Sequence, residues 1–139
     1  MTHKLIIRKG THQGIAILVV VALAFASAAC KKGSSPTTTF QAFYRSFKDK
    51  DVEAYKKTVS KSSLQVLESR ATAIDKSLDE YIRQEMNRPG ITLPDKLETR
   101  HEKIEGDHAT LEIKNNEGGW NTVPFVKEDG EWKVSVDKL

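Results

Sequence analysis

The stretch His108-Ala109-Thr110-Leu111-Glu112-Ile113-Lys114 sets Ala109, Leu111 and Ile113 against Thr110, Glu112 and Lys114 at every second position. A period of two belongs to a strand with one buried face. The alternation returns in Trp132, Val134 and Val136 against Lys133, Ser135 and Asp137, and in Leu97, Thr99 and His101 between charged residues. Trp120 to Lys127 gives a further strand, in which Pro124 cannot donate to a ladder and so points to an edge or a bulge. Glu105-Gly106-Asp107-His108, Asn115-Asn116-Glu117-Gly118-Gly119 and Glu128-Asp129-Gly130-Glu131 connect these strands. Asp129-Gly130 supplies the positive φ angles of a tight hairpin, so a four-stranded antiparallel meander is expected.

Upstream of Pro94 the period is that of a helix. Phe40, Phe43, Tyr44 and Phe47 are spaced i, i+3, i+4 and i+7, with Ser35 as cap and Pro36 in the first turn. Lys48-Asp49-Lys50-Asp51 interrupts this face, and Asp51 can cap a second helix carrying Val52, Tyr55 and Val59. A third, longer helix is expected from Ser62 or Ser63, with Leu64, Leu67, Ala71, Ile74, Leu78, Ile82 and Met86 on one side. It ends at Asn87-Arg88-Pro89-Gly90. The expected class is α+β, three N-terminal helices packed on a curved four-stranded antiparallel sheet, with the long helix over the apolar face.

The N-terminal segment says where such a domain is delivered. Lys4, Arg8 and Lys9 precede an apolar run from Ile15 to Ala26, then Ser27, Ala28, Ala29 and the only cysteine, Cys30. This is the three-part layout of an export signal, and the run is shorter than the about 20 residues of a comfortable membrane span. Small residues before the cut fit the narrow pockets of a signal peptidase. A lone thiol in an exported protein oxidises or cross-links, and acylation removes that liability. Ala26-Ser27-Ala28-Ala29-Cys30 resembles a bacterial lipobox, with Ser27 where Leu is usual. The resemblance implies cleavage between Ala29 and Cys30 and lipidation of Cys30 by palmitate-type acyl chains. Two or three such chains hold a protein on a bilayer almost permanently. Residues 1–29 are thus read as a lipoprotein signal, 30–36 as the lipidated cysteine and a short tether, and 37–139 as the domain. In lipoproteins of some two-membrane bacteria Asp beside the lipidated Cys favours inner-membrane retention; Lys31 stands there instead, so the resemblance implies the outer membrane, facing the periplasm, if the organism has two membranes.

The 139 residues carry a formal net charge of +3. The signal segment has three basic residues and no acid, so the remainder is balanced, which disfavours a nucleic-acid partner bound through bulk positive charge. The length suits a single core.

The aromatic first helix, the charged break, Gly106-Asp107-His108-Ala109-Thr110-Leu111 and Lys127-Glu128-Asp129-Gly130-Glu131-Trp132-Lys133-Val134 together resemble a bacterial lipoprotein domain of unknown function in the nuclear transport factor 2-like superfamily. The resemblance spans roughly Pro36 to Val136 and implies a cone, a curved sheet around helices with a pocket at its open end. The superfamily includes isomerases, dehydratases, transport factors and interaction modules, so the fold leaves the function open.

Chemistry-bearing motifs are few. His3 and His12 fall in the signal, leaving His101 and His108 as the imidazoles, and no spacing suits a metal or a cofactor. Ser60, Ser62 and Ser63 sit at a helix start and read as caps, and Gly118-Gly119 reads as a turn. Residues expected to border a cone's cavity are Tyr44, Tyr55 and Tyr81 from the helices, His101 on a strand face with Leu97 and Thr99, and Trp120. The expected function is therefore non-enzymatic binding of a small apolar ligand or an envelope protein, on a domain attached to the membrane through its N-terminal lipid and open to homodimer formation. The alternative is a small cavity enzyme, isomerase or hydrolase in type, with His101 as general base.

Overall fold

A computed structural model describes residues 34–139. The signal, Ala29 and Cys30 lie outside the described residues. The element order is α1 (Pro36–Asp49), α2 (Val52–Thr58), α3 (Lys61–Thr72), α4 (Leu78–Met86), β1 (Thr99–Glu105), β2 (His108–Lys114), β3 (Trp120–Glu128) and β4 (Glu131–Val134), then a 3-10 turn at Val136–Lys138. The class is α+β, helices before strands, with one antiparallel sheet in the order β1-β2-β3-β4.

Four helices are present where three are expected, because the long third helix is broken. Lys76 N–H reaches the Ala71 carbonyl at 3.0 Å and Asp75 N–H that of Thr72 at 3.1 Å. Asp75 between them is left-handed at φ 55. This is a Schellman-type closure. Ser77 then opens α4 with a reciprocal capping box to Glu80. Ile74, on the apolar stripe of an unbroken helix, is half exposed at the break. The strand after the last hairpin is also shorter than expected: it stops at Val134, and Val136 lies in the 3-10 turn.

The sheet is covered by α1 rather than by the third helix. Phe40 packs with Ala109, Leu111, Ile113, Val123, Phe125, Trp132 and Val134 in one core. Val52, Tyr55, Val59, Leu67, Ile82 and Met86, from α2, α3 and α4, form a second. Phe43 and Val136 touch both. Ring centroids run 5.5 Å from Phe40 to Phe43 and 5.3 Å from Phe43 to Tyr55, so α1 carries an aromatic contact from the sheet to the helical layer.

Pro124 occupies a local edge of an inner strand. β4 pairs with β3 only from Phe125 to Glu128. Pro124 lies one residue beyond, where its carbonyl accepts from Ser135 N–H at 3.0 Å and its missing donor leaves no ladder bond unmade. The bulge sits instead in β1. Arg100 pairs with Glu112 and Lys103 with Thr110, so His101 and Glu102 both stand opposite Leu111. His101 is left-handed at φ 51, as the first residue of a bulge can be.

Two stability outcomes follow. Lys50 closes α1 in a left-handed conformation at φ 56, a position that favours glycine. Lys50→Gly is expected to stabilise the domain by about 1 kcal/mol, raising the melting temperature by about 4–8 °C, whereas Lys50→Ala gives no gain. Calorimetry on the three proteins checks this. Trp132 is 5% exposed, within the sheet core. Trp132→Ala is expected to cost about 3–5 kcal/mol in urea denaturation, and a loss below about 1 kcal/mol would contradict its place in the core.

Candidate functional site

An apolar cleft of about 490 Å³ opens between the middle of α1 and the end of the sheet at the β2–β3 loop. Phe40, Phe43 and Tyr44 wall it from the helix, Ile113 and Val123 from the sheet, and Leu93 and Leu97 from the chain that enters β1. The helix supplies three of these residues because its aromatic stripe is wider than the sheet surface it covers. Phe40 is spent on the core, and Phe43 and Tyr44 remain partly buried at its margin.

Two hydrogen bonds hold the third wall in place. The Tyr44 hydroxyl donates to the Pro94 carbonyl, tying the segment before β1 to α1. Asn116 Nδ2 donates to the Thr92 carbonyl at 2.6 Å, tying the same segment to the β2–β3 loop. That loop is itself ordered by Asn115, whose Oδ1 accepts from Gly119 N–H at 2.8 Å and Glu117 N–H at 3.1 Å. Asn115, Asn116 and Asn121, with Lys114 and Lys138, thus form a polar rim around apolar walls, the composition of a site that holds an apolar body and orients it from its mouth. A depression of similar size along α4 is a surface groove lined by charged side chains, among them Lys76, Glu80, Arg83 and Arg88.

Of the five residues expected at a cavity, Tyr44 lines this cleft and four lie elsewhere. Tyr55 is buried in the helical core, and burial, reinforced by Glu85 and Tyr81, pushes its hydroxyl up to about 12. Its hydroxyl is thereby kept protonated at neutral pH. Tyr81 packs against the same core and does not line the cleft.

His101 is displaced by the bulge. The extra residue reverses the alternation after Arg100, so the ring leaves the face of Leu97 and Thr99 and stands on the solvent side of the sheet, with a side chain 63% exposed. There its Nδ1 lies 3.1 Å from Glu112 Oε2, an atom that also accepts from Arg100 Nε at 2.6 Å. The Arg100 guanidinium, and after it the His101 ring, hold the Glu112 carboxyl below the usual carboxylate range. Trp120 belongs to this outer cluster, with the guanidinium of Arg100 4.0 Å from its ring centre. No histidine lines the cleft. Among the described residues no group of three or more His, Cys, Asp or Glu is placed to hold a metal ion, and no helix is long and apolar enough to cross a membrane.

Sequence reasoning missed Leu93, Pro94, Asn116 and Asn121. The segment between Gly90 and Thr99 has no periodicity, and its position is set by Tyr44 and Asn116 from elements far away in the chain. The available signal was Pro94 next to a Leu93 that no helix or strand could use.

Two of the polar contacts between layers follow one pattern. α1 and α3 have no acidic residue in their first turns. Glu102 in the β1 bulge accepts from Thr37 N–H at 2.9 Å and Thr37 Oγ1 at 2.6 Å, and Glu128 at the end of β3 accepts from Lys61 N–H at 3.1 Å. A carboxylate at a helix N-terminus contributes typically 0.3–1 kcal/mol, and here each also fixes a helix against a strand.

No curated protein and no solved structure matches the chain. A family model does match, over residues 28–135, which is most of the sequence and all of the helices and strands described above. With its helices and its meander inside that match, the chain belongs to the family described as Domain of unknown function (DUF4878).

Proposed function

We propose that this protein is a bacterial envelope lipoprotein, anchored through acyl chains on Cys30, whose domain holds a small apolar molecule without transforming it. The cleft walled by Phe40, Phe43, Tyr44, Leu93, Leu97, Ile113 and Val123 is the observation that carries the reading. Its volume lies in the range of ligand sites, about 300–1,000 Å³, and its polar side chains, the three asparagines with Lys114, Lys138, Thr92 and Thr122, include no carboxylate and no imidazole. A cone of the nuclear transport factor 2-like kind, open at the β2–β3 end, is the architecture this reading takes. The anchor is supported by the order Ile15 to Ala26, Ala28-Ala29, Cys30, and the placement on the periplasmic side of an outer membrane by Lys31. The enzyme alternative needs an imidazole at the cleft, and the exposed His101 beside Glu112 does not supply one.

Intact-mass measurement of protein extracted from bacterial membranes is expected to give a chain beginning at Cys30 with added acyl mass. A free Cys30 thiol, or a chain that keeps Met1, overturns the anchor. For the cleft, a neutral dodecyl alcohol bearing a diazirine is photolysed with the membrane-bound protein. Crosslinks are expected at residues 40–44 and 92–97, and Leu97→Trp, which fills the cleft, should reduce them at least tenfold. Labelling scattered over the surface would overturn the binding reading.

A further inference from the structure

The described chain begins at one end of the sheet and the cleft opens at the other. Trp132 N–H donates to Ser34 Oγ at 3.1 Å, and Thr39 Oγ1 donates to the Trp132 carbonyl at 3.2 Å. Trp132 pairs with Lys127 beside the Asp129-Gly130 turn, so Ser34 is fixed at the β3–β4 turn end. The cleft is bounded by Asn115, Asn116 and Asn121 at the β2–β3 end. Along β3, Asn121 and Lys127 are about 20 Å apart at about 3.3 Å per residue.

Only Lys31, Lys32 and Gly33 separate Cys30 from Ser34. At no more than about 3.6 Å per residue, the Cα atoms of Cys30 and Ser34 lie within about 14 Å of each other. A lipid on Cys30 therefore brings the face around Ser34 to the headgroup layer, on a leash shorter than the domain is long. That face carries both signs, with Lys57, Lys127 and Lys133 beside Glu128, Asp129 and Glu131, so the short tether rather than charge decides which face meets the bilayer.

We propose that the short tether holds this face against the headgroup layer of its own membrane, with the apolar cleft turned away from it. The proposal rests on the lipidation of Cys30. Its consequence is directional: the cleft exchanges its ligand with the aqueous compartment, or with whatever faces that membrane across it, and not with the leaflet that holds the anchor.

The test uses lipidated full-length protein in phosphatidylethanolamine–phosphatidylglycerol vesicles doped with a lipid whose headgroup carries a nitroxide. With the Cys30 thiol consumed, Glu131→Cys and Glu117→Cys each offer a single attachment point for a fluorophore, one at each end of the sheet. Quenching is expected to be at least threefold stronger at position 131 than at 117, and to become equal within about 1.5-fold when twelve Gly and Ser residues are inserted between Gly33 and Ser34. Equal quenching at the natural tether length, or stronger quenching at 117, overturns the orientation. A difference that survives the insertion overturns the tether as its cause. Protein that does not float with the vesicles at all overturns the anchor itself, an outcome separate from loss of orientation.

Discussion

Both halves of the domain need the same surface, the aromatic stripe of α1. Phe40 faces the sheet, where its ring meets Phe125 edge-on at 6.5 Å, and Phe47 faces the helical layer, where it lies 6.3 Å from Tyr55. Phe43 between them belongs to both cores. Four short helices and a four-stranded sheet each bury too little apolar surface to persist alone, so neither layer is stable until this helix lies between them. The cleft is a by-product of that arrangement. Beyond the width of the sheet the stripe continues, and Tyr44 and Leu97 are left facing a space that no side chain fills.

The edges of the sheet are managed by side chains from the helical half. The free edge of β4 is covered at Trp132 by Ser34 and Thr39, and at Val134 by a parallel bridge to Val59, with Ser60 N–H donating to the Val134 carbonyl at 3.0 Å. An uncovered strand edge invites pairing with another chain, and here the start of α1 and the α2–α3 junction occupy it. At the other edge, β1 is bent by its bulge and its bulged Glu102 is bound to the N-terminus of α1. The contacts that close the sheet therefore also orient the helices, which ties the position of Ser34 to the position of the cleft.

The buried polar groups follow the same economy of roles. Ser60 and Ser63 are fully buried, yet each is satisfied: Ser60 Oγ donates to Ser63 Oγ at 2.8 Å, and Ser63 in turn bonds to Asp137. The serines cap α3 and pin the 3-10 turn to it, so their burial needs no catalytic explanation. The charged cluster of Arg100, His101, Glu112 and Trp120 is on the solvent side of the sheet, separated from the cleft by the sheet itself.

Periodicity and turn chemistry in the sequence determined the class, the strand order and most helix starts, because each depends on residues close together in the chain. Ser35, Asp51 and Asp129-Gly130 act on their immediate neighbours, and Ala109, Leu111 and Ile113 alternate whatever packs on them. The break at Asp75 was half legible. Ser77 with Glu80 is a start signal in the sequence, but an apolar stripe running through Ile74 spoke for continuation, and Asp at a left-handed position is not the usual stop. What only the tertiary structure decided is which surfaces meet. A single added residue at His101 moved the ring to the opposite face of the sheet, and the cleft drew its walls from Tyr44, Leu93 and Val123 in three separated parts of the chain. A bulge and a cavity are both set by long-range packing, in which each residue's neighbours lie far away in sequence, and no local pattern records them.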